Sequence, residues 1–394
     1  MKNSKIQRDK QRMLAKIKNM NMFHKKKLPE EKTEEEYEVL SIKQLMWRKF
    51  IRNRAAVVAG VILLIFYFTI LFADFFAPYS ITNQHFNYLY IPPQRLRFID
   101  SEGRFHLRPF VYRVEQKRDP RTFKFVYTEN KGVKDYISFF VHGDKYRWFG
   151  FYESDLHFFG VKEGEIFLFG TDERGRCMLS RIIFGGRVSL TIGLVGVALT
   201  VFLGSVIGTI SGYYGGKIDN VIQRVIEVLR SFPQLPLWIA LSAALPPDWP
   251  STYVYFGIVV ILSFIGWTGL AREVRGKVLS LRSTNFVAAA EAAGADLKRV
   301  IFKHMVPNTA SHIMVIATLS IPGMMLGESA LSFLGLGIKP PMTSWGLLLA
   351  GAQRIQILRL YPWMLIPGLF IFVSILCFNF VGDALRDVID PFSL

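Results

Sequence analysis

Apolar residues in this chain gather into long charge-free runs, and the connectors between them hold most of the Lys and Arg. Ala55–Ala73 carries no charge and approaches the about 20 residues that one bilayer crossing takes. Val188–Gly216, Phe232–Leu245, Trp249–Leu270, Thr309–Leu334 and Tyr361–Val381 follow it. Basic connectors at 41–54, 217–230 and 272–303 alternate with less basic ones, the bias that marks a cytoplasmic side. The pattern predicts an all-α polytopic membrane protein of six transmembrane helices with both termini inside. The third run goes out through Pro233, Pro236 and Pro246, and the weak point of this topology is the outer loop 335–360, which carries Lys339, Arg354 and Arg359.

Between the first two runs the period changes. Residues 78–170 alternate apolar and polar over short stretches, at Arg104–Val114, Thr122–Thr128, Tyr136–His142 and Glu165–Phe169. Turn signals separate them at Ser101-Glu-Gly103, Arg118-Asp-Pro120, Asn130-Lys-Gly132 and Gly143-Asp144. Such spacing predicts strands, so this segment reads as a small β-rich extracytoplasmic insertion between helices 1 and 2. The chain then divides into 1–54, a basic cytoplasmic tail ending in an interfacial helix from residue 41; 55–77, the first span; 78–170, the outer domain; and 171–394, a five-helix core with a cytoplasmic loop at 272–308. Residues 1–40 are too polar to form a core and read as disordered, either an orientation signal or a lipid-binding tail.

Two local patterns stand out inside the core. Gly204, Gly208 and Gly212 are spaced by four on one helix face, which lets another helix approach closely in lipid, from this chain or a partner. In the loop, Phe286–Asn308 holds two stretches of helix formers around Gly294-Ala295-Asp296. Gly permits the left-handed turn that ends a helix, and Asp caps the next. Pro307 then restarts the chain into the following run. The result is a short helix-turn-helix lying flat under the membrane, a knob suited to a groove on another protein.

The net charge of +17 raises nucleic acid as a partner. Because the basic residues flank apolar spans, a membrane face with its lipid explains them instead. Hydrophobic residues make up 51% of the chain and the mean hydropathy is +0.26, both beyond an ordinary soluble domain. No cleavable signal is recognisable in the polar N-terminal stretch. Cys177 and Cys377 fall on opposite sides of the predicted membrane, so no disulfide is expected. Tyr213-Tyr-Gly-Gly-Lys217 lacks the spacing of a phosphate-binding loop, so ATP, if used, belongs to another chain. The His residues lack paired zinc-ligand spacing. Gly327-Glu-Ser-Ala330 is not a nucleophile elbow. The chain therefore does not read as an enzyme working alone, and no catalytic, metal or cofactor residue is assigned. Glu328, in the outer part of the fifth span with Ser329 and Ser332 beside it, is the one ionisable group at such depth. It lines a pathway or outer gate, or is a structural carboxylate held by a backbone amide, Lys or Arg.

The loop resembles the EAA loop of ABC importer permeases, on Phe286, Val287, Ala289, Ala290, Gly294, Ala295, His304, Pro307 and Asn308. The signature Glu of that family falls on Ala288, with Glu291 about one helical turn later. Further stretches are similar to the C-type permease subunit of dipeptide and oligopeptide importers: Gly170-Thr-Asp-Glu-Arg-Gly-Arg-Cys-Met-Leu-Ser-Arg181 with Cys177 at a usual Asp, Gly185-Gly-Arg-Val-Ser-Leu190, Leu331-Ser-Phe-Leu-Gly-Leu-Gly337, Ser344-Trp-Gly346 and Asn379–Pro391. The resemblance covers about 41–80 and 168–392. It implies a type I ABC importer permease in a bacterial inner or plasma membrane. Its partners would be a homologous permease, two cytoplasmic ATPases that bind ATP and Mg, and an extracellular peptide-binding lipoprotein. Phe286, Ala288, Ala289, Ala290, Glu291, Gly294, Ala295, Asp296, His304 and Pro307 would then meet an ATPase. The outer domain would shape receptor docking or cover the entrance, or only pack on the partner permease. Nickel, glutathione or antimicrobial peptides are alternative cargoes within the family. An ATP-independent transporter or channel, or a structural scaffold, would need no such loop.

Overall fold

The computed structural model describes residues 42–118, 120, 125–148, 150–296 and 299–389. The tail reading of 1–40 lies outside them. Helix α1 (Ile42–Arg52) mixes Trp47 and Phe50 with Arg48 and Lys49. Helix α2 (Arg54–Leu71) begins at Asn53, whose side chain caps it by accepting from the Ala56 N–H at 3.2 Å. A short helix α3 (Ala73–Phe76) leads out of it.

Four antiparallel strands come next, in the order β1 (Arg97–Ile99), β2 (Phe105–Arg118), β3 (Phe125–Trp148), β4 (Tyr152–Val161). The strand boundaries differ from the pattern reading. Asn130-Lys-Gly132 and Gly143-Asp144 do not end strands; both lie within the 24-residue β3. At the first, Tyr112 pairs with Lys134 but Arg113 with Asn130, so extra residues bulge out of β3. The Asn130 side chain closes that bulge on the Gly132 N–H at 2.9 Å. At the second, the register slips between His142 and Tyr146, and Asp144 instead holds the Ser80 N–H at 2.8 Å. A bulge uses the same residues as a turn, because both break the ladder. Glu165–Phe169 forms no strand. Ile166 and Phe167 are buried there as anchors against Tyr79, Tyr88 and Val111.

The helical part comprises α4 (Met178–Tyr214), α5 (Gly216–Ser231), α6 (Gln234–Ala243), α7 (Ser251–Arg282), α8 (Asn285–Ala292), α9 (Val306–Phe333), α10 (Trp345–Ala350), α11 (Ile355–Leu360) and α12 (Ile366–Ile389). Among the described residues five helices are long and apolar enough to cross a membrane. The expected six spans are thus not all present as such: the third, drawn over Phe232–Leu245, is the ten-residue α6, roughly 15 Å long and half a bilayer core. Its prolines confine it. Pro233 sits at the N-cap, and the chain turns at Pro246 and Pro247.

Helices α4 and α7 pack along much of their length. A Cβ on Gly204 would lie 2.8 Å from Leu270 Cβ, on Gly208 2.5 Å from the Ala271 carbonyl and on Gly212 2.9 Å from the Arg275 carbonyl. The stripe therefore serves a neighbour within this chain. The main core joins α2, α4, α7, α9, α10 and α12 through Leu63, Leu190, Leu262, Met325, Trp345 and Phe378. The sheet sits at the end of this bundle where α4 begins. The Tyr79 N–H donates to Ser180 of α4 at 3.2 Å, and the Ile166 N–H donates to the Tyr79 hydroxyl at 2.8 Å.

Candidate functional site

At the opposite end of α7, the chain turns through Ser283 into α8. Val287 is fully buried against Val274 and Val278 of α7 and against Val300 and Met305. Phe286, Ala288 and Ala289 are exposed, and Ala290 and Ala295 partly so. One apolar anchor thus fixes a helix that leaves the ring of Phe286 and the methyl groups of Ala288 and Ala289 exposed. Gly294 closes α8 at φ +79°, in the left-handed region that side chains avoid. Asp296 caps the succeeding turn, accepting from the Arg299 N–H at 3.2 Å. The described residues 299–305 of the motif's second half are not the separate α-helix expected. Val300–Met305 is a π-helical turn that continues without a break into α9, and Pro307 lies in the first turn of α9 rather than restarting the chain. The side chains of Glu291, His304 and Pro307 lie outside the described residues.

A second clamp stands beside this loop, and sequence reasoning passed over it. Arg275 of α7 grips Asp219 of α5 with both Nε and Nη2. The same carboxylate accepts from Ser211 at 2.5 Å. The Arg275 bond holds the Asp219 carboxyl below the usual carboxylate range. Arg275 was visible only as one more basic residue of the connector; no spacing rule links it to Asp219 across 56 residues.

Glu328 occupies the core between α4, α9 and α10, fully buried. Ser332 donates to it at 2.6 Å, Ser189 at 3.1 Å and Ser329 at 3.5 Å. Ser344 is a further hydroxyl neighbour. The shell is itself bound to backbone. The Trp345 N–H donates to Ser189 at 3.0 Å, the Ile338 N–H to Ser332 at 3.0 Å and the Leu347 N–H to Ser344 at 3.1 Å. Neither of the holders foreseen, an amide or a Lys/Arg, is among its described partners; hydroxyls take that role. Gly346 lets α10 press on α9, since a Cβ there would meet Ser329 Cα at 2.5 Å. Ser189 and Ser344 were not singled out as carboxylate partners, although both stand in the quoted motifs.

A groove of about 770 Å³ opens between the sheet end of α2, α4 and α7 and the Trp148 end of β3. Its walls are mainly apolar. Its polar groups include Arg147, the Arg187–Asp74 ion pair at 2.6 Å and the Tyr255 hydroxyl, which donates to Thr191 at 3.1 Å. Cys177, at the N-cap of α4, is buried and free, as is Cys377; burial pushes the Cys177 thiol up. Asp172 does the local ion pairing, with Arg176 at 2.8 Å and with Arg181. Among the described residues no group of three or more His, Cys, Asp or Glu is placed to hold a metal.

Residues 204–393 match the family model for the binding-protein-dependent transport system inner membrane component. Residues 41–93 match the N-terminal TM domain of oligopeptide transport permease C. Residues 94–203, which hold the sheet, fall outside both. The chain is 44% identical over 225 residues to the oligopeptide transport system permease protein OppC of Haemophilus influenzae, covering 57% of this chain and 70% of that one. It is 40% identical over 224 residues to the dipeptide transport system permease protein DppC of Alkalihalophilus pseudofirmus, covering 57% and 71%. An inward-facing structure of the MetNI methionine ABC transporter aligns with 54% of this chain and 98% of its own at 17% identity and a TM-score of 0.44.

Proposed function

The chain belongs to the binding-protein-dependent inner-membrane transport components, and from that premise we propose that it is a permease subunit of an ATP-driven ABC importer of oligopeptides or dipeptides. It pairs with a homologous permease to enclose the pathway. Two cytoplasmic ATPase subunits bind the ATP and Mg, so this chain needs no cofactor of its own. An extracellular peptide-binding lipoprotein delivers the cargo to the face that bears the sheet. Both termini are cytoplasmic, and α6 is the third of six spans, at half length. The surrounding partner is lipid, and no nucleic acid is involved.

The observation that carries the coupling role is α8: a helix pinned by Val287 that presents Phe286, Ala288 and Ala289 outward. The small side chains of Ala288 and Ala289 let a partner's groove close on the backbone, with Phe286 as an aromatic contact beside them. Gly294 then sets the angle between α8 and the turn that runs into α9, so a push on α8 is delivered to the helix that holds Glu328. Glu328, Ser329 and Ser332 stiffen the far part of that helix at an outer gate. In the cycle proposed, closure of the ATPase dimer moves α8, the bundle opens toward the receptor, and hydrolysis resets it.

The test is site-directed crosslinking in membranes with all subunits expressed together. Ala289→Cys should crosslink to a cysteine in the ATPase groove, and a labelled tripeptide should enter cells only when both are present. Crosslinks absent from every position of α8, with uptake intact, would refute the coupling role. Uptake that survives loss of both ATPases would refute the importer reading.

A further inference from the structure

A cluster of three arginines sits at the sheet end of α4, away from the groove and the α8 loop. Asp172 organises it. One oxygen of its carboxylate accepts the Arg174 and Arg176 N–H groups at 2.9 and 3.0 Å, closing the turn. The other takes Arg176 Nε at 2.8 Å and Arg181 Nη1. One buried carboxylate is therefore shared by two guanidinium groups. Among the described residues Arg174 pairs with Glu173 alone, at 3.8 Å, with both side chains largely exposed, a pairing of little strength. Three cations stand against two anions.

These arginines line a cavity of about 310 Å³ whose opposite wall is the loop carrying Pro340 and Thr343. Two residues of that lining each hold a buried polar atom without a hydrogen-bond partner among the described residues: Arg181 at Nε and Thr343 at Oγ1. Arg181 is only 7% exposed and Thr343 3%. An unpaired buried guanidinium N–H is costly, and such groups ordinarily find partners. A guanidinium fork with a free N–H, a second arginine half-committed and a hydroxyl across the cavity is a donor set for a planar anion with two acceptor oxygens.

We propose that this cavity binds a carboxylate, received by Arg181, Arg174 and Thr343. The carboxylate comes from the C-terminus of a peptide or from an acidic side chain of a protein that docks on the sheet end. Binding needs neither ATP nor a second subunit, so the proposal stands or falls apart from the transport reading.

The full-length chain in lipid nanodiscs, open to solvent on both faces, is titrated with fluorescent trialanine, its C-terminal amide, and N-acetyl-aspartate amide. At least one free carboxylate should bind about tenfold or more tightly than the trialanine amide, the range of a charge-assisted pair, and should weaken with added salt. Binding of trialanine alone assigns a peptide terminus; binding of the blocked aspartate assigns an acidic side chain. Arg174→Gln and Thr343→Val, which leave the Asp172 turn intact, should each weaken binding severalfold. Arg181→Gln should abolish it, with folding checked by a symmetric size-exclusion peak. Equal affinity for acid and amide, no affinity for either carboxylate in folded protein, or full affinity in the Arg174→Gln/Thr343→Val double variant would overturn the proposal.

Discussion

Glu328 shows how a carboxylate is kept inside an apolar bundle without a counter-charge. Four serine hydroxyls surround it, and three of these serines are fixed by backbone amides. Glu328→Gln should be mild, because hydroxyls can turn to accept from an amide. Glu328→Ala should cost about 1–3 kcal/mol more, the cost of stranding buried donors, read as a lower melting temperature in detergent. The Arg275–Asp219 clamp gives a pH signature. The Asp219 carboxyl is depressed in the folded chain by Arg275, so its contribution is present above the unfolded value near about 3.9 and is lost as pH falls through the lower folded value. Between about pH 5 and 2, the parent should lose more thermal stability than Arg275→Met, which lacks the clamp at every pH. At neutral pH that variant should be the less stable of the two. At this scale the sequence revealed the unusual residue but not its company. Glu328 stood out as a lone charge in an apolar run, whereas Ser189 and Ser344 reach it from 139 residues before and from the neighbouring loop, and no local rule predicts such partners.

Elements were easier to read than contacts, and the failures have a common cause. Hydrophobic runs located the five long helices described, but some of their lengths came out short. α4 begins at Met178 and α7 continues to Arg282, because helix propensity carries on past the point where charge returns. Turn residues likewise marked places where a ladder breaks without saying that the strand resumes, which is how β3 was divided. Spacing alone did find the glycine stripe. There, Gly208→Leu should keep the chain from accumulating as folded protein, since its side chain would collide with the Ala271 carbonyl. Gly269→Ala, where no atom lies within 4 Å of the new Cβ, should instead stabilise the helix by about 0.5–1 kcal/mol; comparing detergent-solubilised yields and melting curves tests both. In the coupling loop, Gly294→Val forces a branched side chain to φ +79°. ATP hydrolysis should then run with less uptake per turnover while the complex still assembles, and an unchanged ratio in vesicles would show that this turn transmits nothing.

At the scale of the whole molecule, the sheet and the bundle share one seam. Tyr79, Ile166 and Phe167 bury the root of the sheet against the start of α4, and Tyr90 stacks on Tyr361 at 4.1 Å just before α12. The sheet is thus seated on the ends of the helices rather than hung from a linker. Removing 97–161 while keeping that seam should leave helical content and expression intact but lower the affinity of the delivering receptor; unchanged affinity and uptake would make the sheet a passive cover. Helix α4 has a consequence of its own. At 37 residues it is roughly 55 Å long, nearly twice the thickness of a bilayer core, and it contains no proline at which to bend. If such a rod tilts as one piece, a swing of its Gly212 end carries the arginine cavity at its other tip the opposite way; in the cycle proposed, a carboxylate held there would be shifted by leverage across the membrane.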